Sequence, residues 1–128
     1  VCVRESKNRS VSEMKLSEKQ AIFTSNIARL IAFAWSKGYR LTFGEAWRPP
    51  EMAKLNAKSG KGIANSLHTV RLAVDFNLYK DGVYMTQTED HKELGAFWKS
   101  LDPLNRWGGD FRSRPDGNHY SMEHNGIQ

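Results

Sequence analysis

The sequence predicts an α+β fold, a small antiparallel sheet packed against helices. Three observations predict it. Apolar residues recur at spacings of three and four between Phe23 and Ala34, short runs elsewhere alternate aromatic and β-branched residues, and an Asp-Gly pair at 81–82 carries the signature of a tight hairpin. The segments follow in the order helix, strand, helix, strands, helix, strands, which suits an α+β domain.

The first helix has Ser17 followed by Gln20, a capping-box pattern in which each side chain satisfies a free N–H at the helix start. Phe23, Ile27, Leu30, Ile31 and Ala34 then form one apolar face running to about Lys37, with Gly38 as the stop. Residues 39–43 alternate and read as a strand. Pro49-Pro50 blocks an immediate helix, and a short one is expected around Glu51 to Ala57. Lys58-Ser59-Gly60-Lys61-Gly62 lacks the spacing and the Ser or Thr of a phosphate-binding loop, so it reads as a linker or lid. Residues 72–79 form the next strand and turn through Lys80-Asp81-Gly82 into Val83-Tyr84. Thr86 and Glu89 open a helix whose stripe is Leu94, Phe97, Trp98 and Leu101, and Pro103 ends it. Residues 107–111 and 120–123 are expected as strands joined by a polar loop.

A length of 128 residues fits one compact domain. Hydrophobic residues at 39% and charged residues at 26% give the balance of a globular protein rather than a disordered one. No apolar run reaches the roughly 20 residues of a membrane-spanning helix. The net charge of +5 suits a polyanionic environment. The basic residues are spread rather than clustered, so a nucleic-acid partner is not expected. Cys2 is the only cysteine, which excludes an intrachain disulfide and a cysteine-based zinc site. The polar stretch after Val3 shows no secretory signal. Residues 1–13 read as a flexible leader, a non-native extension or a processing remnant, and 14–128 as one domain, expected to be monomeric.

Four histidines are present, at 68, 91, 119 and 124. His91 sits among charges (Glu89-Asp90-His91-Lys92-Glu93) and reads as solvated surface. His68 lies between a loop and a strand, a usual address for a ligand on a rigid edge. Asp75 interrupts the apolar run Leu72-Ala73-Val74-Asp75-Phe76, so an inward carboxylate there is paired, hydrogen-bonded or metal-bound. Two His and a carboxylate meet the needs of a catalytic zinc ion, which keeps an open position for water. A His and an Asp seven residues apart fall on opposite faces of a straight strand, so a turn or bulge must intervene.

Residues Ser66-Leu67-His68-Thr69-Val70-Arg71-Leu72-Ala73-Val74-Asp75 resemble the Ser-x-His-x-x-Gly-x-Ala-x-Asp signature of the zinc D-alanyl-D-alanine carboxypeptidases and the related L-alanyl-D-glutamate endopeptidases of phage endolysins. Asp116-Gly117-Asn118-His119 resembles their second motif, an acidic residue three before a His. Glu45-Ala46-Trp47-Arg48 is similar to an upstream segment with a functional Arg, and Trp107-Gly108-Gly109-Asp110-Phe111 to the stretch before the second motif. Arg71 departs from the signature Gly, and a different local geometry is expected there.

The resemblance implies a hedgehog/DD-peptidase-like fold and a metallopeptidase acting on peptidoglycan stem peptides. By that resemblance His68, Asp75 and His119 hold Zn2+, and Asp116 is the general base. Arg48 stabilises the developing charge on the scissile carbonyl or clamps a substrate carboxylate, with a surface Arg stacked on Trp47 as its plain alternative. Ser66 is expected to orient a ligand through a hydrogen bond and Glu123 to support His119. His124 is the rival third ligand, ranked second because a regular strand turns it to the opposite face. The leading function is an endolysin cutting L-Ala–D-Glu, made in a host cytoplasm and acting in the periplasm or wall. A D-Ala–D-Ala carboxypeptidase is the alternative within the same chemistry, and a non-catalytic zinc-binding module the alternative of another class.

Overall fold

The structure, a computed structural model, describes residues 14–58 and 66–128. Residues 1–13, expected to be a leader or an extension, and most of the loop beginning at Lys58 lie outside the described residues.

Helix α1 spans Leu16–Ser36, β1 Tyr39–Phe43, α2 Pro50–Lys58, β2 Ala73–Lys80, β3 Val83–Met85, α3 Lys92–Leu101, β4 Asn105–Trp107 and β5 His119–Met122. Single 3-10 turns occur at Leu67–Val70, Thr88–His91 and Gly108–Asp110. The five strands are all antiparallel, in the order β1-β2-β5-β4, with β3 also paired to β2. Strand β2 is therefore the hub. It has β1 along one edge, while β5 takes its first residues and β3 its last along the other.

Alternation along β2 sorts its side chains. Val74, Phe76 and Leu78 are buried, whereas Asp75, Asn77 and Tyr79 are only half-buried. The buried set joins Phe23, Ile27, Leu30 and Ala34 of α1, Leu94 and Trp98 of α3, and Tyr120 and Met122 of β5 in one core. Trp98 is fully buried and stands edge-on to Phe23, with ring centroids 5.5 Å apart. Its indole N–H donates to the main-chain oxygens of Arg106 (3.0 Å) and Ser121 (3.1 Å), which ties α3 to β4 and β5. The helices thus cover one face of the sheet, and Asp75 is left on the other.

Several local expectations shift. The α1 cap is Lys15, in extended backbone, and its N–H donates to Glu18 (3.4 Å), so the Ser17–Gln20 pair lies inside the helix. Pro50 does not delay α2 but opens it, since a first helical residue has no intrahelical use for its N–H. The box before α3 is Gln87 with Asp90 rather than Thr86 with Glu89, and a 3-10 turn comes first. Residues 107–111 are not a strand: β4 ends at Trp107, and the next three residues coil under its ring.

His91 is the clearest correction. It is buried, with 3% of its surface exposed, and its Nδ1 lies 2.8 Å from the Tyr120 hydroxyl. Burial lowers its pKa to about 4, only partly opposed by Asp90, so the ring is neutral at ordinary pH.

Candidate metal and catalytic centre

The site forms where β2 and β5 run side by side. Asp75 and His119 are direct cross-strand partners, so both project from the sheet face that the helices leave open. His68 reaches them from the 3-10 turn before β2. Ser66 caps that turn, its hydroxyl accepting from the His68 N–H (3.2 Å), and the Thr69 hydroxyl donates back to the Ser66 carbonyl (2.6 Å). Ser66 thus fixes the backbone that carries His68 rather than the imidazole itself.

The turn resolves the parity problem of a ligand pair seven residues apart, and Arg71 completes it. Arg71 adopts the left-handed conformation (φ 58, ψ 37) that a glycine takes readily. The local geometry is therefore that of a glycine turn, contrary to expectation. Left-handed backbone costs a non-glycine residue roughly 1–2 kcal/mol. The Arg71 guanidinium lies over the Trp47 ring, 4.5 Å from its centroid, which returns part of that cost.

His68 Nε2 lies 3.5 Å and His119 Nδ1 3.2 Å from the same Asp75 oxygen. One donor atom from each of the three side chains lies within 4.8 Å of the others. Among the described residues this is the group of His, Cys, Asp and Glu side chains compact enough to share an ion. Burial on its own would raise the Asp75 pKa, but hydrogen bonds and charge from His119 and His68 outweigh it and hold the carboxyl at about 2. The group is therefore an anionic oxygen between two imidazoles.

This donor set fits zinc on chemical grounds. Both nitrogens of His119 face oxygens, Nδ1 the Asp75 carboxylate and Nε2 the Gln128 main-chain oxygen at 3.3 Å. A neutral imidazole has one N–H, so it serves one of these contacts, and a bound cation would satisfy the other nitrogen. His68, His119 and Asp75 would hold that ion.

Asp116 sits beside the trio, on the wall of a cleft of about 480 Å3 that also takes in His68, Asp75, His119 and Arg48. Its pKa is raised by burial first and then by the Asp75 charge, with His119 and His68 partly offsetting both. The Trp-Gly-Gly-Asp stretch places this loop. The Asp116 N–H donates to the Gly108 carbonyl (2.8 Å), and the Trp107 indole donates to the Gly117 carbonyl (2.7 Å). A Cβ on residue 108 would overlap the Asp116 main-chain oxygen and come within 2.8 Å of His119 Cβ, so only glycine allows this approach.

Arg48 also lines the cleft. Its guanidinium grips both oxygens of Glu45, through Nε at 3.0 Å and through Nη2, and its main-chain N–H donates to the His68 carbonyl (3.1 Å). Stacking on Trp47 falls to Arg71 instead. Glu45, to which no role was given from sequence, thus anchors Arg48 and lies 3.8 Å from His68 Nε2. Arg114 and Gln128 also line the cleft and went unnoticed. Gln128 contributes a main-chain atom, which no residue pattern reveals.

Two candidates lie elsewhere. Glu123 pairs with Arg106 (2.7 Å), and His124 Nδ1 lies 3.2 Å from Lys19 Nζ. Neither belongs to the ion-sized group.

Residues 59–122, half of the chain, match the M15 peptidase family model described as D-alanyl-D-alanine carboxypeptidase. The chain belongs to this family. The matched span includes His68, Asp75, Asp116 and His119, while Glu45 and Arg48 precede it. Among solved structures, this peptidase is similar in fold to the L-Ala D-Glu endopeptidase ChiX of Serratia marcescens, with a TM-score of 0.65, 16% identity and 94% of each chain covered. No curated protein sequence matches it.

Proposed function

We propose that this peptidase is a zinc-dependent hydrolase of peptidoglycan stem peptides, cutting the L-Ala–D-Glu bond as phage endolysins do. The observation that carries the reading is the carboxylate of Asp75 between His68 and His119, with a second, uncoordinated carboxylate, Asp116, on the same cleft wall. Zinc held there supplies a Lewis acid for the scissile carbonyl and brings the pKa of its water to about 7. Asp116 accepts the proton of the attacking water and delivers it to the leaving amine. Its raised pKa suits both halves of that task. Arg48, held by Glu45, presents positive charge to the developing oxyanion. A non-catalytic zinc module would have no use for Asp116 in this place.

The family description favours a second reading, release of terminal D-Ala. Arg48 does not decide the choice. A carboxypeptidase must clamp a free substrate carboxylate; Glu45 takes the Nε–Nη2 edge of Arg48, and the remaining N–H groups suit an oxyanion or a substrate carboxylate alike. The endopeptidase reading is preferred on the likeness in fold to the L-Ala D-Glu endopeptidase of Serratia marcescens. Mass spectrometry of muropeptides after incubation, with and without a chelator, tests it. New D-Glu amino termini that the chelator abolishes are expected. Free D-Ala as the product would establish the second reading, and chelator-insensitive cleavage would remove zinc from both.

A further inference from the structure

The described chain ends in a tight reversal whose role the chemistry above leaves open. His124 and Ile127 exchange both main-chain hydrogen bonds, at 3.1 and 3.0 Å, around Asn125 and Gly126. These two have φ values of 52 and 78, the pairing that an Asn-Gly turn favours. Ile127 packs on the core, and the reversal lays Gln128 against β5. There the Gln128 main-chain oxygen accepts from the Ser121 hydroxyl (3.1 Å) and lies 3.3 Å from His119 Nε2. Ser121 is fully buried, two residues after His119 on the same strand and so on the same sheet face.

We infer that residues 124–128 form an orienting arm for the third metal ligand. The Gln128 oxygen, held by Ser121, accepts a hydrogen bond from the Nε2–H of His119 and so leaves the Nδ1 lone pair for the ion. A ligating imidazole generally donates its outer N–H to a carbonyl or carboxylate, which fixes tautomer and ring orientation. His119 obtains that partner from the reversal. Gln128 is a positioning residue, acting through its backbone, and its side-chain identity is immaterial. The inference rests on the zinc reading of the site.

The test compares Ser121→Ala, which removes the holding hydroxyl, with Gly126→Ala and Gly126→Asn. A Cβ at 126 meets nothing within 4 Å, so these two act only through the backbone. Alanine resists the left-handed conformation, whereas asparagine tolerates it. Zinc affinity is measured by chelator competition on the full chain, and the His119 tautomer by 15N NMR. Ser121→Ala and Gly126→Ala are expected to bind zinc about 10-fold to 100-fold more weakly and to lose the predominance of the Nε2–H form. Gly126→Asn is expected to keep wild-type values of both. Unchanged affinity in the first two variants, or weakened affinity with an unchanged tautomer, overturns the inference while leaving the zinc reading intact. Should wild-type protein bind no zinc, the zinc reading fails, and the metal-free tautomer at mildly alkaline pH still decides whether the arm holds His119: Nε2–H sustains that hold and Nδ1–H overturns it.

Discussion

His68 and His91 are buried to the same extent, each with 3% of its surface exposed, and each meets a residue of β5. His68 meets His119 and His91 meets Tyr120, consecutive residues that point to opposite sides of the sheet. On the open side His68 faces the carboxylates of Asp75 and Glu45. On the packed side His91 has one hydroxyl for company, and burial suppresses its charge. Burial alone therefore does not make a histidine functional. The neighbours decide: anionic oxygens fit one ring to hold an ion, and a neutral hydroxyl makes the other a core residue that fills space and satisfies a tyrosine.

Four substitutions put this contrast at risk. The largest effect is expected from His68→Ala, which takes bound zinc from about one ion per chain to none and abolishes turnover. Metal analysis that finds full occupancy would show that the open-side cluster is no different in kind from the packed side. Asp116→Asn should keep the zinc and lose activity by a factor on the order of 100 or more. Wild-type turnover in that variant removes the proposed base.

His91 predicts a pH effect. Above about pH 6.5 the ring is neutral in both folded and unfolded chains. As pH falls from there toward 4, the unfolded chain binds a proton that the folded one refuses, so stability declines. The total is about 3 kcal/mol, and the decline from this group stops below pH 4. Denaturant titrations of wild type and His91→Gln across this window should converge as pH falls, with the variant lacking this share of the slope. Parallel curves would mean that His91 is not held neutral. The smallest effect is expected at Arg71→Gly, where relief of left-handed backbone and loss of the Trp47 contact nearly cancel, for a net change within about 1 kcal/mol. Zinc content should not change. A lost metal there would show that the Arg71–Trp47 contact, and not the turn, positions His68.

What the sequence made legible was what local rules govern. The bounds of β1, the Asp81-Gly82 hairpin and the apolar face of α1, apart from Ile31, which is exposed, follow from periodicity and turn chemistry alone. That His68, Asp75 and His119 belong together was readable through a likeness to a family signature, because spacing by itself left the parity of His68 and Asp75 unexplained. The misreadings share a cause. His91 stands among charges in sequence, yet its partner Tyr120 lies 29 residues away. The 107–111 segment has the aromatic ends of a short strand, but Gly109 lets the Trp107 ring lie against it and Gly108 lets the Asp116 carbonyl approach, and tertiary packing won. The start of α1 was misplaced because Ser17 and Gln20 fit the capping pattern, whereas the true cap, Lys15, does not and is marked only by Glu18 reaching back to its N–H. Glu45 went without a role since its meaning comes from Arg48 and His68 together.

Strand β2 carries Asp75 with bonded neighbours along both edges. Along one edge the Asp75 N–H reaches the Glu45 carbonyl at 2.8 Å and its own carbonyl accepts from Gly44, also at 2.8 Å; along the other the Phe76 N–H donates to the Asn118 carbonyl at 2.9 Å. This stretch of backbone cannot fray from one side, so amide exchange near Asp75 should proceed through the rarest and most extensive openings of the molecule. The backbone that carries the carboxylate of the ion-sized cluster would then keep the slow clock of whole-domain unfolding, not the fast one of a surface loop.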